Sequence, residues 1–188
     1  MVVLPLSIMD NDMIICKYIT FSGVEFCPDD FSVDHVRIED IAHSLSMMCR
    51  YNGHINEFYN VAEHCIRVSK RLEKLGFNKK IQLCGLLHDA AEAYLGDLVS
   101  PVKKVLYEYI NLEKLYQDVI VRALKLQDEW INSYPIIKNA DRDVLEEELK
   151  YFHNSSFGKE QVKSSKNINN YIHETKTCYT ELFYRTVS

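Results

Sequence analysis

The sequence predicts an all-α fold carrying one small β-hairpin near its N-terminus. From Ile38 onward, apolar residues recur three or four positions apart, the spacing that lines up one face of a helix. Glycine and proline fall where those runs begin and end. Ahead of them, two β-prone runs flank a glycine turn, the pattern of a hairpin.

The elements are expected in this order. Residues 14–20 and 24–26 form the hairpin around Phe21-Ser22-Gly23, and Pro28-Asp29-Asp30 ends it. Ile38, Ile41, Leu45, Met48 and Cys49 mark a first helix that stops at Asn52-Gly53. A second runs from about residue 58 to Gly76, with Val61, Cys65, Val68, Leu72 and Leu75 inward and Gly76 as C-terminal cap. The third, 79–95, is apolar almost all round and is the most buried; Gly96 stops it. Ser100-Pro101 opens a helix to about residue 126, with Ser100 as N-cap, and another starts near Pro135 and runs to 152. The polar stretch 155–170 is a loop before a last amphipathic helix that ends near Tyr184.

At 188 residues, 47% hydrophobic and 26% charged, the chain is expected to be a single domain with its own core. Its parts are a hairpin segment (1–30), a helical core (31–155) and a loop with a C-terminal helix (156–188). The net charge of −5 argues against a nucleic-acid-binding protein, which needs a surplus of cations on one face, but leaves small anions open as ligands. Six cysteines without a C-x-x-C pair are expected to be reduced. The N-terminus lacks a basic flank and cleavage pattern, and no stretch has the roughly 18 apolar residues of a membrane span, so a reducing cytoplasm is expected.

The chemistry is concentrated in His88-Asp89-Ala90-Ala91-Glu92-Ala93-Tyr94-Leu95-Gly96-Asp97, four titratable groups in an otherwise apolar helix. Each costs several kcal/mol if buried without a partner, so a cation, a metal or mutual pairing is required. Glu92 follows His88 by four residues and shares its helix face. His64 lies between Val61 and Val68, and Asp141 between Ile137 and Val144-Leu145, so both sit on inward stripes. Singly, each is an ordinary satisfied core residue. With His88 and Asp89 they make two imidazoles and two carboxylates, a set suited to Mn²⁺, Co²⁺, Fe²⁺, Ni²⁺ or Zn²⁺.

A histidine, then a His-Asp doublet, then an aspartate on successive helices resembles the HD-superfamily phosphohydrolases. Arg50-Tyr51, Val61-Ala62-Glu63-His64, His88-Asp89-Ala90-Ala91-Glu92, Gly96-Asp97-Leu98 and Pro101-Val102-Lys103 are similar to the branch of deoxyribonucleoside 5′-monophosphatases and phage-type dATP triphosphohydrolases. The likeness covers about residues 38–150. It implies an HD-domain helical bundle, a divalent ion (Co²⁺, Mn²⁺, Zn²⁺ or Mg²⁺) on His64, His88, Asp89 and Asp141, and a homo-oligomer. It makes Glu92 and Asp97 the groups that handle water and the leaving-group proton. Arg50 and Tyr51 would take phosphate and sugar or base, with Lys103 and, more weakly, His54 as further substrate contacts. The turn at 20–23 would reach the base.

The implied activity is hydrolysis of a small deoxynucleotide, with water activated at the metal attacking phosphorus. The Asn-Gly-His run after Tyr51 leans toward triphosphohydrolases over monophosphatases. A catalytically silent HD-like nucleotide-sensing module is the rival from another class. Among the remaining polar residues, Glu146-Glu147-Glu148 is expected to be a solvated face, with Glu148 near the pocket as the exception to consider. Glu92 has an alternative role orienting a ligand histidine, Asp97 as a turn residue, and Arg50 as partner of a surface carboxylate. Asn139 and Arg142 are placed to tune Asp141, and His35, His43, His153 and His173 are read as packing or surface residues.

Overall fold

A computed structural model describes residues 17–154 and 167–187. The start of the expected hairpin, the segment 1–16 and most of the polar stretch 155–170 lie outside the described residues.

Strands β1 (Tyr18–Ile19) and β2 (Glu25–Phe26) pair antiparallel, Tyr18 opposite Phe26. Gly23 takes φ of 84° in the turn between them, a conformation open to glycine at little cost. The turn docks on α1 (Ile38–Met47), where the Ser22 amide and hydroxyl donate to the two Asp40 carboxylate oxygens at 2.6 and 2.8 Å. Helix α1 buries Ile41, Ala42 and Leu45 and ends before the expected Asn52-Gly53. Beyond it Cys49 bridges to Asn60, the Arg50 amide donates to the Tyr59 carbonyl at 2.8 Å, and Arg50–Gly53 form a short 3₁₀ turn. The chain leaves the helix because its backbone finds these partners across the fold.

Helix α2 (Val61–Lys74) is capped by Asn60, whose side chain accepts from the Glu63 amide at 2.8 Å. It ends on Gly76 at φ of 81°, with the Phe77 amide reaching back to Leu72 and the Gly76 amide to Glu73. Helix α3 (Lys79–Leu86) packs against α2 at Gly85, where a Cβ would fall 2.3 Å from Leu72 Cδ1.

The expected helix 79–95 is interrupted. After Leu86 the amides of Ala90 and Glu92 donate three residues back, to Leu87 and Asp89, before the short α4 (Glu92–Leu95). The His88 ring takes the Gly85 carbonyl, which a continuous helix would give to the Asp89 amide. In this tighter winding residues three apart align, so Asp89 joins His88 and Glu92 on the wall of one cavity.

The expected helix 100–126 is likewise two, α5 (Ser100–Lys103) and α6 (Tyr107–Ala123), and Ser100 starts α5 without capping it. In contrast, α7 (Gln127–Asn154) runs straight through Pro135, where a start was expected. Proline removes the donor to the Ile131 carbonyl, and Ile131 is 71% exposed, so water can replace it. Helix α8 (Ile168–Val187) adds Tyr179, Leu182 and Phe183 to a connected core that begins at Phe26. Among the described residues no helix is long and apolar enough to cross a membrane, and the described cysteines are free thiols.

Candidate metal centre and cavity

Close packing of α2 on α3, with α7 against both, brings the segments that carry His64, the His88-Asp89 pair and Asp141 to one point. Nε2 of His64 lies 3.0 Å from Asp141 Oδ1 and 3.9 Å from Asp89 Oδ2. Nε2 of His88 lies 3.0 Å from Asp89 Oδ2 and 3.6 Å from Asp141 Oδ1. Donor atoms of His64, His88 and Asp89 all fall within 4.8 Å of one another, and Asp141 closes the group from α7.

The chemistry of the donors fits a cation. A carbonyl oxygen only accepts, so the His88 Nδ1 at 2.9 Å from Gly85 O carries the ring proton and the buried Nε2 is left a lone pair with no hydrogen-bond partner. It faces Asp89 Oδ2, itself an acceptor, and two acceptors 3.0 Å apart need a proton or a metal between them. A proton is the occupant favoured in the metal-free protein. Burial alone would lower the His88 pKa, but Asp89 and Asp141 hold it well above the ordinary histidine value. Burial would raise Asp89 and Asp141, yet the neighbouring imidazoles, with Lys138, keep both carboxyls below their usual range.

A cavity of about 1000 Å³ opens beside this cluster, lined by His88, Asp89 and Asp141 together with Arg50, Glu92 and Asp97. His64 is fully buried behind it. Glu92 is pushed well above an ordinary carboxyl by burial and by the charges of Asp89 and Asp97, with Lys103 opposing. The Lys103 contact alone would lower it, but burial outweighs that contact, Glu92 being 2% exposed. Asp97 is raised by burial against the pull of Arg50.

The substrate contacts expected from sequence fare unequally. Arg50 turns inward, Nη1 3.8 Å from Asp89 Oδ2 and Nε 3.6 Å from Glu148 Oε2, so it is no partner of a surface carboxylate. Tyr51 donates to Glu148 Oε2 at 2.8 Å and lines the cavity. Lys103 also lines it, but its ammonium is held by Glu92 at 2.9 Å and Glu113 at 2.6 Å. It therefore orients Glu92 as much as it offers charge to a phosphate. His54 is exposed and does not line the cavity. The turn at 20–23 does not line it either: Thr20 and Phe21 line a separate cavity of about 330 Å³ with Asp40, His43 and Met47 of α1.

Three residues were missed or misread in sequence. Glu148, set apart from its solvated run only as an exception near the pocket, is fully buried, and its carboxyl is held down at about 2: burial would raise it, but His64 and Arg50 prevail. Only Glu146 and Glu147 of that run face solvent, Glu147 paired with Arg71. Tyr59, also buried, donates to Glu148 at 2.6 Å. Lys138, one turn before Asp141 on α7, places Nζ 3.1 Å from Asp141 Oδ2 and lines the cavity; its i−3 position was the available signal. Asn139 and Arg142 bond to each other on the exposed side and do not touch Asp141.

No protein-family model matches the chain. It is 39% identical over 102 residues to the uncharacterized protein YfdR of Escherichia coli, covering 54% of each chain. It is also 39% identical over 83 residues to the uncharacterized protein RCAP_rcc00048 of Rhodobacter capsulatus, covering 42% of each. The matched region thus spans about half the length of the curated relatives or less.

Proposed function

We propose that the protein is a divalent-metal-dependent phosphohydrolase of deoxynucleotides, acting on triphosphates. The observation that carries this reading is the convergence of two imidazole Nε2 atoms and two carboxylates beside a cavity with buried acid groups and inward cations. His64, His88, Asp89 and Asp141 would hold the ion. The chemistry it supplies when bound is polarisation of a phosphoryl oxygen and acidification of water toward a pKa of about 7.

The remaining steps belong to the chain's own groups. Glu92, raised by burial, can take a proton from the attacking water or return one to the leaving oxygen, and Asp97 is a second such group on the same wall. Arg50 offers a fork for phosphate oxygens. Lys138 and Lys114 also line the cavity among its acidic groups, giving a polyphosphate cations beyond Arg50. Free thiols and the lack of a membrane-crossing helix among the described residues support a reducing cytoplasm as the place of action.

The test is metal analysis of the purified protein, followed by product analysis with deoxynucleoside mono- and triphosphates in Mn²⁺, Co²⁺, Zn²⁺ or Mg²⁺. Release of inorganic tripolyphosphate from dATP or another deoxynucleoside triphosphate is the expected result. Orthophosphate from monophosphates alone would make the protein a monophosphatase. Bound metal without turnover of any nucleotide would leave a sensing module.

A further inference from the structure

Glu148 reaches the interior from the seventh residue after Asp141 on α7 and is fully buried. Its Oε1 lies 2.7 Å from His64 Nδ1 and 2.6 Å from the Tyr59 hydroxyl. Its Oε2 lies 2.8 Å from the Tyr51 hydroxyl and 3.6 Å from Arg50 Nε. An ionised carboxylate has no proton to give, so His64 Nδ1 and both hydroxyls are the donors in these bonds. With Nδ1 turned to Glu148, it is His64 Nε2, 3.0 Å from Asp141 Oδ1, that faces the other ligand candidates, and an ion there would replace the proton shared by that pair.

We propose that Glu148 is the positioning residue of the metal centre: it fixes the His64 tautomer and ring angle for an ion and ties that ligand to the Arg50-Tyr51 corner. This rests on the metal-centred reading above and adds a role for a residue outside the ligand set. A carboxylate behind a ligand histidine raises the basicity of the coordinating nitrogen and holds the ring in place, and losing such a partner weakens metal affinity by about 10–100-fold. The same carboxylate anchors Tyr51, which sits in the left-handed region at φ of 57° and needs a contact to stay there. One buried charge thus sets both the back of the metal site and the wall against which substrate lies.

The experiment titrates Co²⁺ into metal-free wild type, Glu148→Gln and Glu148→Ala, reading the dissociation constant and the visible Co²⁺ spectrum. Glutamine keeps the shape and an acceptor for His64 but removes the charge. The expected result is a loss of Co²⁺ affinity of about 10-fold or more in Glu148→Gln, greater in Glu148→Ala, with an altered band for the bound ion. A folded Glu148→Gln protein that binds Co²⁺ with wild-type affinity and spectrum overturns the proposal. Imidazole ¹⁵N shifts of Zn²⁺-loaded wild type provide a reading independent of variant folding: the His64 proton is expected on Nδ1, and finding it on Nε2 overturns the proposal equally. Weakened Co²⁺ binding in the variants alongside a wild type that hydrolyses no nucleotide would remove the proposed activity and leave the role of Glu148 standing. Wild type that takes up no Co²⁺ overturns both.

Discussion

The His88 ring donates to the Gly85 carbonyl at 2.9 Å, the same glycine whose missing side chain lets Leu72 of α2 lie against α3. One residue therefore sets both the distance between α2 and α3 and the tautomer of His88. Helix packing and the imidazole that faces Asp89 are coupled at that point.

If His64, His88, Asp89 and Asp141 hold one ion, losing any of them opens the site. His88→Ala and Asp89→Ala should each lose bound metal and turnover together, read by plasma mass spectrometry of the protein and by tripolyphosphate release in parallel. Either variant retaining full metal occupancy would take that residue out of the ligand set.

Glu92 is expected to behave differently. It bonds to Lys103, so Glu92→Ala should keep its metal while turnover falls by about 10²–10⁴-fold, the range for loss of an acid or base. Normal rates in that variant would end its catalytic assignment.

The same residue gives a stability signature. Its folded pKa lies above the ordinary carboxyl value of 4.5, so the folded state holds the proton more tightly and stability falls as pH rises from 4.5 toward the folded pKa. Glu92→Gln removes that penalty, while Lys103 keeps Glu113 as partner. Metal-free Glu92→Gln should melt above wild type at about pH 7–8, with the difference shrinking to nothing below about pH 4. Equal melting temperatures at every pH would contradict the raised pKa.

Packing at Gly85 can be tested by a double-mutant cycle. A Cβ there meets Leu72 Cδ1 at 2.3 Å, and overpacking costs about 1–3 kcal/mol against a helix-propensity gain of about 1 kcal/mol from alanine. Gly85→Ala should destabilise, and Gly85→Ala with Leu72→Ala should cost less than the sum of the two single changes in urea unfolding. Strict additivity would mean that the two positions do not meet.

Much of the architecture was legible because it depends on local rules. Gly76 ends α2 where a C-terminal cap is expected, and the apolar stripes of α1 and α2 face the core except at Leu75, which is exposed at the end of α2. His64, His88, Asp89 and Asp141 could be singled out because polar groups on apolar stripes require compensation. Pro135 was misread as a start because sequence does not reveal that Ile131, whose carbonyl it leaves without a helical donor, is exposed.

The sequence by itself determined a helical chain with a hairpin, the placement of four polar residues on inward faces, and an acid pair just beyond them. Only the tertiary structure decided that the third helix breaks at His88, that Lys103 is held by two carboxylates, that His54 stays outside, and that Glu148 is buried. The physical reason is range. Caps and periodicity act within about one or two helical turns, whereas the partners of Glu148 lie 84, 89 and 97 residues away along the chain and are brought within hydrogen-bonding distance by packing alone.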